Sequence, residues 1–497
     1  MNSGERVSKR GEILENILIE SMAAEGKCVA RYNNLVVFIA GGAPGDLVNI
    51  EVTKIKSHFL EGKVSSFVSY SKNRTTPFCN HFGTCGGCTW QHIDYATQLI
   101  YKQQQVADAL ERIGGLTIPP IKTIIPSQKT QFYRNRLDFT FSANRWLTRE
   151  ELKPPNPPAL RGTGQRGDNV GKSFGEPGLG FHIPKMFDKI FEVEKCYLQP
   201  DPSNPIRLHV KELAVKNSIP FFDLRKQVGF LRTLTIRTSN ENETMVILQV
   251  AQNNLDWIQL ILDSLHSNFK IDSLNYVINE KRNDTFFDLP IINYKGNQYI
   301  TESMHMGRDG QLPVSTKIYF RIGPKSFYQT NSEQAFELYK VALTMAGLKG
   351  HELVYDLYTG TGTIANFISS RAKRVVGLEY IASAVEDAKA NAALNNIHNT
   401  EFFAGDIKDL LDENFLSTHG KPDVVVTDPP RAGMHEAVCH MLLKAAPEKI
   451  IYVSCNPATQ ARDLGLLYSA YSVTEIQPVD MFPHTTHVEN VVKLEKK

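Results

Sequence analysis

Three short segments in the last third of the chain carry residue types that do chemistry. In IIYVSCNPAT a lone cysteine, Cys455, follows an apolar run and precedes Asn456-Pro457. In DVVVTDPPRAG an acid, Asp428, and a guanidinium, Arg431, flank two prolines after a similar run. In FPHTTHVENVVKL, Glu489 follows His484 and His487 and leads into a third apolar run. Free cysteine is often simply buried, but a thiol beside Asn-Pro at a strand end is a poor core position and suits a nucleophile. The reactive form is the thiolate, so its pKa is expected to be lowered locally, by Arg431 or by a histidine. Sequence does not choose between them. A glutamate beside two histidines at a sheet end is placed to act as a base, where an ordinary glutamate would be only a solvated charge.

A fourth segment, VYDLYTGTGTIANFISS, reads as an apolar strand, a Gly-rich turn and a helix. Gly360 and Gly362 allow the backbone to approach a ligand closely. The next run, RVVGLEY, ends in Glu379, which suits ribose hydroxyls, and Asp406 in FFAGD follows a further run where an adenine contact can lie. A cofactor bearing a nucleoside fits this order. The turn lacks the third glycine of a nicotinamide fingerprint, which counts against that rival.

These residues need a scaffold that brings strand ends together. Runs at Leu353–Leu357, Arg374–Leu378, Asp423–Thr427 and Lys449–Ser454 alternate with helical stretches, the pattern of a doubly wound parallel sheet. Such sheets bind ligands at the carboxyl ends of their strands. Upstream, five strand-like runs between residues 11 and 69, separated by turns such as Gly41-Gly42 and Pro44-Gly45, predict a small OB-like barrel. A cysteine-rich segment over 77–91 leads into a predicted helix, Tyr95 to Ile113, with Leu99, Val106, Leu110 and Ile113 on one side and Gly114-Gly115 as its stop. Gln131 to Ser142 reads as a strand carrying Arg134 and Arg136, 144–176 as an irregular basic loop, and 177–325 as mixed α/β.

Charge and composition narrow the class. The 497 residues include 55 Lys and Arg against 53 Asp and Glu, so a nucleic-acid partner must be held by local basic patches. No apolar run reaches the length of a membrane span, and the first twenty residues lack the apolar core of a secretory signal. Seven cysteines, three of them within ten residues in CNHFGTCGGC, fit a reducing cytoplasm and a metal or cluster site better than disulfides. Cys79, Cys85 and Cys88, with Cys196 as a fourth thiol, can hold an iron–sulfur cluster or a zinc ion, and spacing alone does not choose.

Together FYQTN (327–331), DLYTGTG (356–362), VGLE (376–379), DPPR (428–431), SCNP (454–457) and FPHTTHVE (482–489) resemble the TrmA/RlmD-type family of RNA 5-methyluridine methyltransferases. The resemblance extends to a TRAM domain, an RNA-binding barrel, over residues 11–69, and leaves out 144–176. It implies an N-terminal OB-like barrel (1–72), a central α/β iron–sulfur and RNA-binding region (73–320), and a C-terminal Rossmann-like methyltransferase domain (321–497). Helix 95–113 is expected to pack on the last of these. It also implies that Gln329, Tyr358, Glu379 and Asp428 contact S-adenosylmethionine, with Cys455 as nucleophile and Glu489 as base. The RlmD-like branch carries a [4Fe–4S] cluster on the arrangement of Cys79, Cys85, Cys88 and Cys196, and acts on 23S rRNA rather than tRNA. The expected enzyme is a cytoplasmic monomer. Thr359 stands where the family often has cysteine, which touches no role assigned here. Three competing readings fit less well. Exocyclic-amine methyltransferases usually close the DPP motif with an aromatic and need no thiol. Cytosine-5 enzymes carry a second cysteine where this chain has Asp428-Pro429-Pro430. A non-catalytic iron–sulfur RNA-binding module would not keep Cys455, Glu489 and the cofactor turn together.

Overall fold

The structure, a computed structural model, describes residues 8–23, 26–148, 151, 176–184, 186–306 and 316–497. Most of the expected loop 144–176 lies outside these residues. At the N-terminal end, strands Ile13–Leu18, Ser21–Met22, Cys28–Tyr32, Leu35–Ala40, Leu47–Ile55 and Phe59–Ser69 form one six-stranded sheet in the order first, fifth, sixth, fourth, third, second. Alternation explains why it closes on a core. Val48, Ile50 and Val52 point inward from one strand and are wholly buried, as the two-residue period of a strand requires. Trp90 and Ile93 complete that core from outside the barrel. The short strand Ser21–Met22 is one more than expected.

Beyond it lies an eight-stranded sheet, from Ile292–Gly296 at one edge to Arg145–Trp146 at the other, packed with helices Ser203–Lys216 and Leu255–Asn268. Its strand Arg136–Ser142 starts later than predicted. The preceding residues bond elsewhere, Phe132 (φ 54°) and Arg134 donating their amides to the carbonyls of Tyr197 and Leu198. A two-stranded ribbon, Ile300–Met306 with Thr316–Ile322, leads on to the last sheet.

The last sheet has seven strands: Leu353–Leu357, Arg374–Glu379, Thr400–Ala404, Val424–Thr427, Lys449–Ser454, Tyr471–Val479 and Glu489–Lys496, in the order third, second, first, fourth, fifth, seventh, sixth. The first five run parallel; the final strand is antiparallel to both its neighbours. Helix Tyr95–Asp108, capped by Asp94 on the Thr97 amide and continued by a π-helical turn Ala109–Ile113, packs on this sheet's layer, and its Tyr101 also meets the core of the barrel it follows. Val106 and Leu110 share a core with Ala461 and Leu464 of helix Pro457–Leu467. Ile113, expected on that face, is 58% exposed, because the wider π turn shifts the face by a residue. Among the described residues no helix is long and apolar enough to cross a membrane.

Candidate active site

Strand register gathers the predicted residues at one edge. Leu357 pairs with Leu378 on one side and Thr427 on the other, so the next residues, Tyr358, Glu379 and Asp428, leave the sheet side by side. Ser454 pairs with Asn490 in antiparallel sense, which sets Cys455 opposite Glu489 just beyond the last pairing. A final strand running against the others is what brings a residue at its start to the edge where the parallel strands end.

Glu489 is 3% exposed, and burial, with the nearby Asp428 charge, raises its carboxyl pKa well above the usual range. Asp428 is pushed up to about 7 by its own desolvation. Cys455 is half-buried, and its thiol is raised to about 11, by burial first and then by the charges of Glu489 and Asp428. The expectation of a lowered thiol pKa is therefore reversed by burial and two carboxyls. Arg431 opposes them, through both its charge and a hydrogen bond to the thiol. Of the two candidate sources of positive field, the histidines drop out. His487 is brought down to about 4, by burial and by Arg431, whose Nη2 lies 3.4 Å from its Nε2. His484 is brought to about 4 by burial and by Lys102, and serves as a structural joint.

Asn456 was not singled out from sequence, yet it holds the site's geometry. Its side chain caps helix Pro457–Leu467 by accepting from the Ala458 amide at 3.1 Å, and its Nδ2 donates to the Arg431 carbonyl at 3.0 Å. Thr459 Oγ1 donates to the same carbonyl at 3.1 Å. Asparagine at the cap followed by proline at the first helical turn is a legible signal for the cap, though not for its second bond.

The Gly-rich turn is left-handed at Tyr358 (φ 63°), Gly360 (φ 56°) and Gly362 (φ 74°). Non-glycine residues hold that conformation at a cost, usually where a site needs it. A Cβ on Gly362 would sit 2.8 Å from that of Ala388, while one on Gly360 would meet nothing within 4 Å, so the turn has open space beside it. The Glu379 carboxylate accepts from the amides of Gly360 (3.0 Å) and Ile381 (2.9 Å). Asp356 is wholly buried and pushed up to about 7 by desolvation; its Oδ2 accepts from Thr359 Oγ1 and the Ala365 amide, and its Oδ1 has no partner. Open space, aligned acids and an orphaned buried oxygen fit a nucleoside-bearing ligand. Asp406, in contrast, caps a short helix and pairs with Lys408. Gln329 comes from a different element, the segment ahead of helix Ser332–Ala346. That segment is tied to the Gly-rich turn by Thr361 Oγ1 on the Phe327 carbonyl (3.4 Å) and to the loop before Glu489 by Asn331 Nδ2 on the Met481 carbonyl (3.0 Å).

Far along the chain from these residues, Cys79, Cys85, Cys88 and Cys196 line one cavity of about 270 Å³, together with Arg134 and Lys195. Burial raises Cys85 to about 12 and Cys88 to about 11, and the other thiols raise them further. Among the described residues no three His, Cys, Asp or Glu side chains are grouped closely enough to hold a metal ion.

Residues 270–497 match the family model described as tRNA (uracil-5-)-methyltransferase, and residues 8–65 match the TRAM domain. An uncharacterized RNA methyltransferase of Bacteroides thetaiotaomicron is 49% identical over 95% of this chain and 100% of its own. One of Chlorobaculum tepidum is 34% identical over 98% and 97%. Among solved structures, the Pyrococcus abyssi tRNA (uracil-54, C5)-methyltransferase in complex with S-adenosyl-L-homocysteine superposes with a TM-score of 0.70, at 27% identity, over 96% of this chain and 99% of that one.

Proposed function

The chain belongs to the family of S-adenosylmethionine-dependent RNA (uracil-C5) methyltransferases, and from that premise we propose that it methylates one uridine, in 23S rRNA, through a covalent bond between Cys455 and C6 of the base. The observation that carries this reading is the placement of a thiol and a buried carboxyl opposite one another at the sheet edge, with a guanidinium on the thiol.

Uracil C5 is a weak nucleophile. Attack of the Cys455 thiolate on C6 makes that carbon tetrahedral, pushes the C5=C6 pair into an enolate over O4–C4–C5, and so makes C5 electron-rich. S-adenosylmethionine, when bound, supplies the electrophilic methyl group to C5, its S–CH3 pair leaving with the sulfur as a neutral thioether. Gln329, Tyr358, Glu379 and Asp428 would hold it. Glu489 then takes the proton from C5, the C–H electrons restore C5=C6, and the C6–S bond breaks with its pair returning to Cys455. A carboxyl with raised proton affinity is better matched to this task near neutral pH than an ordinary glutamate. Arg431 stabilises the thiolate between its formation and its attack. The uridine must leave its stack to reach such a site.

The four thiols around the cavity would hold a [4Fe–4S] cluster. Four cysteines are its donor set. The cluster takes no part in the steps above; it braces the central RNA-binding region. With the barrel (1–72) and that region (73–320) gripping RNA and the last domain (321–497) doing chemistry, the enzyme works as a cytoplasmic monomer.

Trapping tests the covalent step. RNA carrying 5-fluorouridine at the target is expected to form a denaturation-resistant adduct whose peptide maps to Cys455, because fluorine cannot leave as a cation. An adduct elsewhere, or none with RNA that is otherwise methylated, rejects the mechanism. Offering 23S rRNA and tRNA side by side decides the substrate, and methylation of tRNA alone rejects the rRNA assignment.

A further inference from the structure

The loop that leads into Glu489 is held by side chains from far back in the chain. Lys102, wholly buried, sets its ammonium 2.6 Å from Asp480 Oδ1 and donates to the Phe482 carbonyl at 2.9 Å. Tyr95 donates its hydroxyl to the other Asp480 oxygen at 2.8 Å. Gln98 brackets His484: its Oε1 accepts from the His484 amide at 2.9 Å, and its Nε2 lies 3.2 Å from the ring Nδ1. The amides of Thr89 and Trp90 donate to the His484 carbonyl at 2.9 and 3.0 Å. His484 itself sits at φ 63°, a conformation that its surroundings must impose.

None of these groups has a part in the chemistry above. A buried ion pair is also a poor way merely to stabilise a loop, since apolar residues of similar volume commonly serve as well or better. What it supplies is direction, because each charge and carbonyl has one place to be. We propose that Gln98 and Lys102 are positioning residues for Glu489, setting its carboxyl against C5 and so governing release of the product but not transfer of the methyl group. The proposal rests on the reading of Glu489 as the base. In the step concerned, the Glu489 carboxylate gains the C5 proton, the C–H electrons become the second C5–C6 bond, and the C6–S pair leaves with Cys455. Cys455 is carried by a different strand end, held by Asn456 and Thr459, so its attack does not depend on the clamp.

Gln98→Ala loosens His484 while leaving the buried ion pair intact. Rapid-quench measurements on the full-length enzyme with target RNA and S-adenosylmethionine separate methyl incorporation from release of free RNA. The expected result is methyl incorporation at the parent rate, with release slowed by up to about a hundredfold, the scale on which an ångström of misplacement is felt. A methylated, gel-stable adduct should accumulate. Lys102→Met combined with Asp480→Asn removes both charges together and is expected to give the same pattern, with thermal melting reporting whether it folds. If it does not fold, Gln98→Ala decides. Equal loss of both steps, or no methylated adduct in folded Gln98→Ala enzyme, overturns the proposal. Glu489→Gln is the reference. If it accumulates no methylated adduct, the assignment of the base has failed and this proposal falls with it; if it does and Gln98→Ala does not, only the positioning role is lost.

Discussion

Two places in this molecule bury thiols, and they treat them differently. Cys455 is raised to about 11, Cys85 to about 12 and Cys88 to about 11, with burial as the first cause in each. The neighbouring charges separate them. Around Cys455 the unfavourable charges sit on Glu489 and Asp428, carboxyls that burial itself inclines to keep their protons, and Arg431 pulls the other way. Around Cys85 they sit on Cys196, Cys88 and Cys79, so each thiolate makes the next harder to form. At one site a single thiol faces two carboxyls and is favoured as thiolate by one guanidinium. At the other each thiol is held back by its fellow thiols. Burial alone does not distinguish the two thiol environments; the charge of the neighbours does.

The largest effect that would break this comparison is at Cys455. Cys455→Ala is expected to lower kcat by roughly four to six orders of magnitude, the scale of losing a covalent nucleophile, while S-adenosylmethionine binding measured by calorimetry is unchanged. A rate near that of the parent would remove Cys455 from the mechanism. Arg431→Gln comes next. It takes away the group that favours the thiolate, so kcat should fall by about ten- to a hundredfold, the worth of a hydrogen bond to a charged group. Alkylation of Cys455 should also need a higher pH; an unmoved alkylation profile would assign the thiolate to some other group. In the second region, protein purified without oxygen is expected to hold about four irons and absorb visible light, and Cys85→Ser to lose both along with solubility, leaving Cys455 alkylation as it was. Stoichiometric zinc without iron would end the cluster assignment. The smallest effect asks whether burial acts on a carboxyl as it does on the thiols. Glu302 is buried and pushed up to about 7 by desolvation. Folded protein therefore binds its proton more tightly than unfolded chain does. The stability this adds is complete below the unfolded pKa, about 4.3, and is lost as pH rises towards 7. The melting temperature should fall across that window, less steeply in Glu302→Gln; an equal slope would mean that Glu302 is ionised when buried.

Much of the site was legible because strand ends announce themselves. Apolar runs ending in Glu379, Asp428 and Cys455 gave both the sheet and the edge where these residues meet. Glu489 was legible as an acid ahead of an apolar run, although nothing in the sequence says that this strand runs antiparallel and so points back to the same edge. Helix 95–113 was read as an apolar stripe, but its most buried positions include Gln98 and Lys102, both 0% exposed. Periodicity sees only apolar residues, and the partner that makes a buried lysine tolerable, Asp480, lies 378 residues away. The sign of the thiol shift failed for a related reason. It is a sum over burial and three charges, and burial and the two carboxyls, Asp428 and Glu489, outweigh the arginine.

That same ion pair bears on how the chain must fold. Because Lys102 and Asp480 belong to one buried pair, the eight-stranded sheet is threaded between a helix and the layer that helix packs on. Closing so long a loop adds little to its entropic cost, which grows only with the logarithm of length, but contacts of high sequence separation slow folding. A fragment cut at residue 321 would carry Asp480 without its cation and would bare Ala461 and Leu464, the surface that Val106 and Leu110 cover. The last sheet and the helix that precedes the central one are, for the purposes of folding, a single unit interrupted by another.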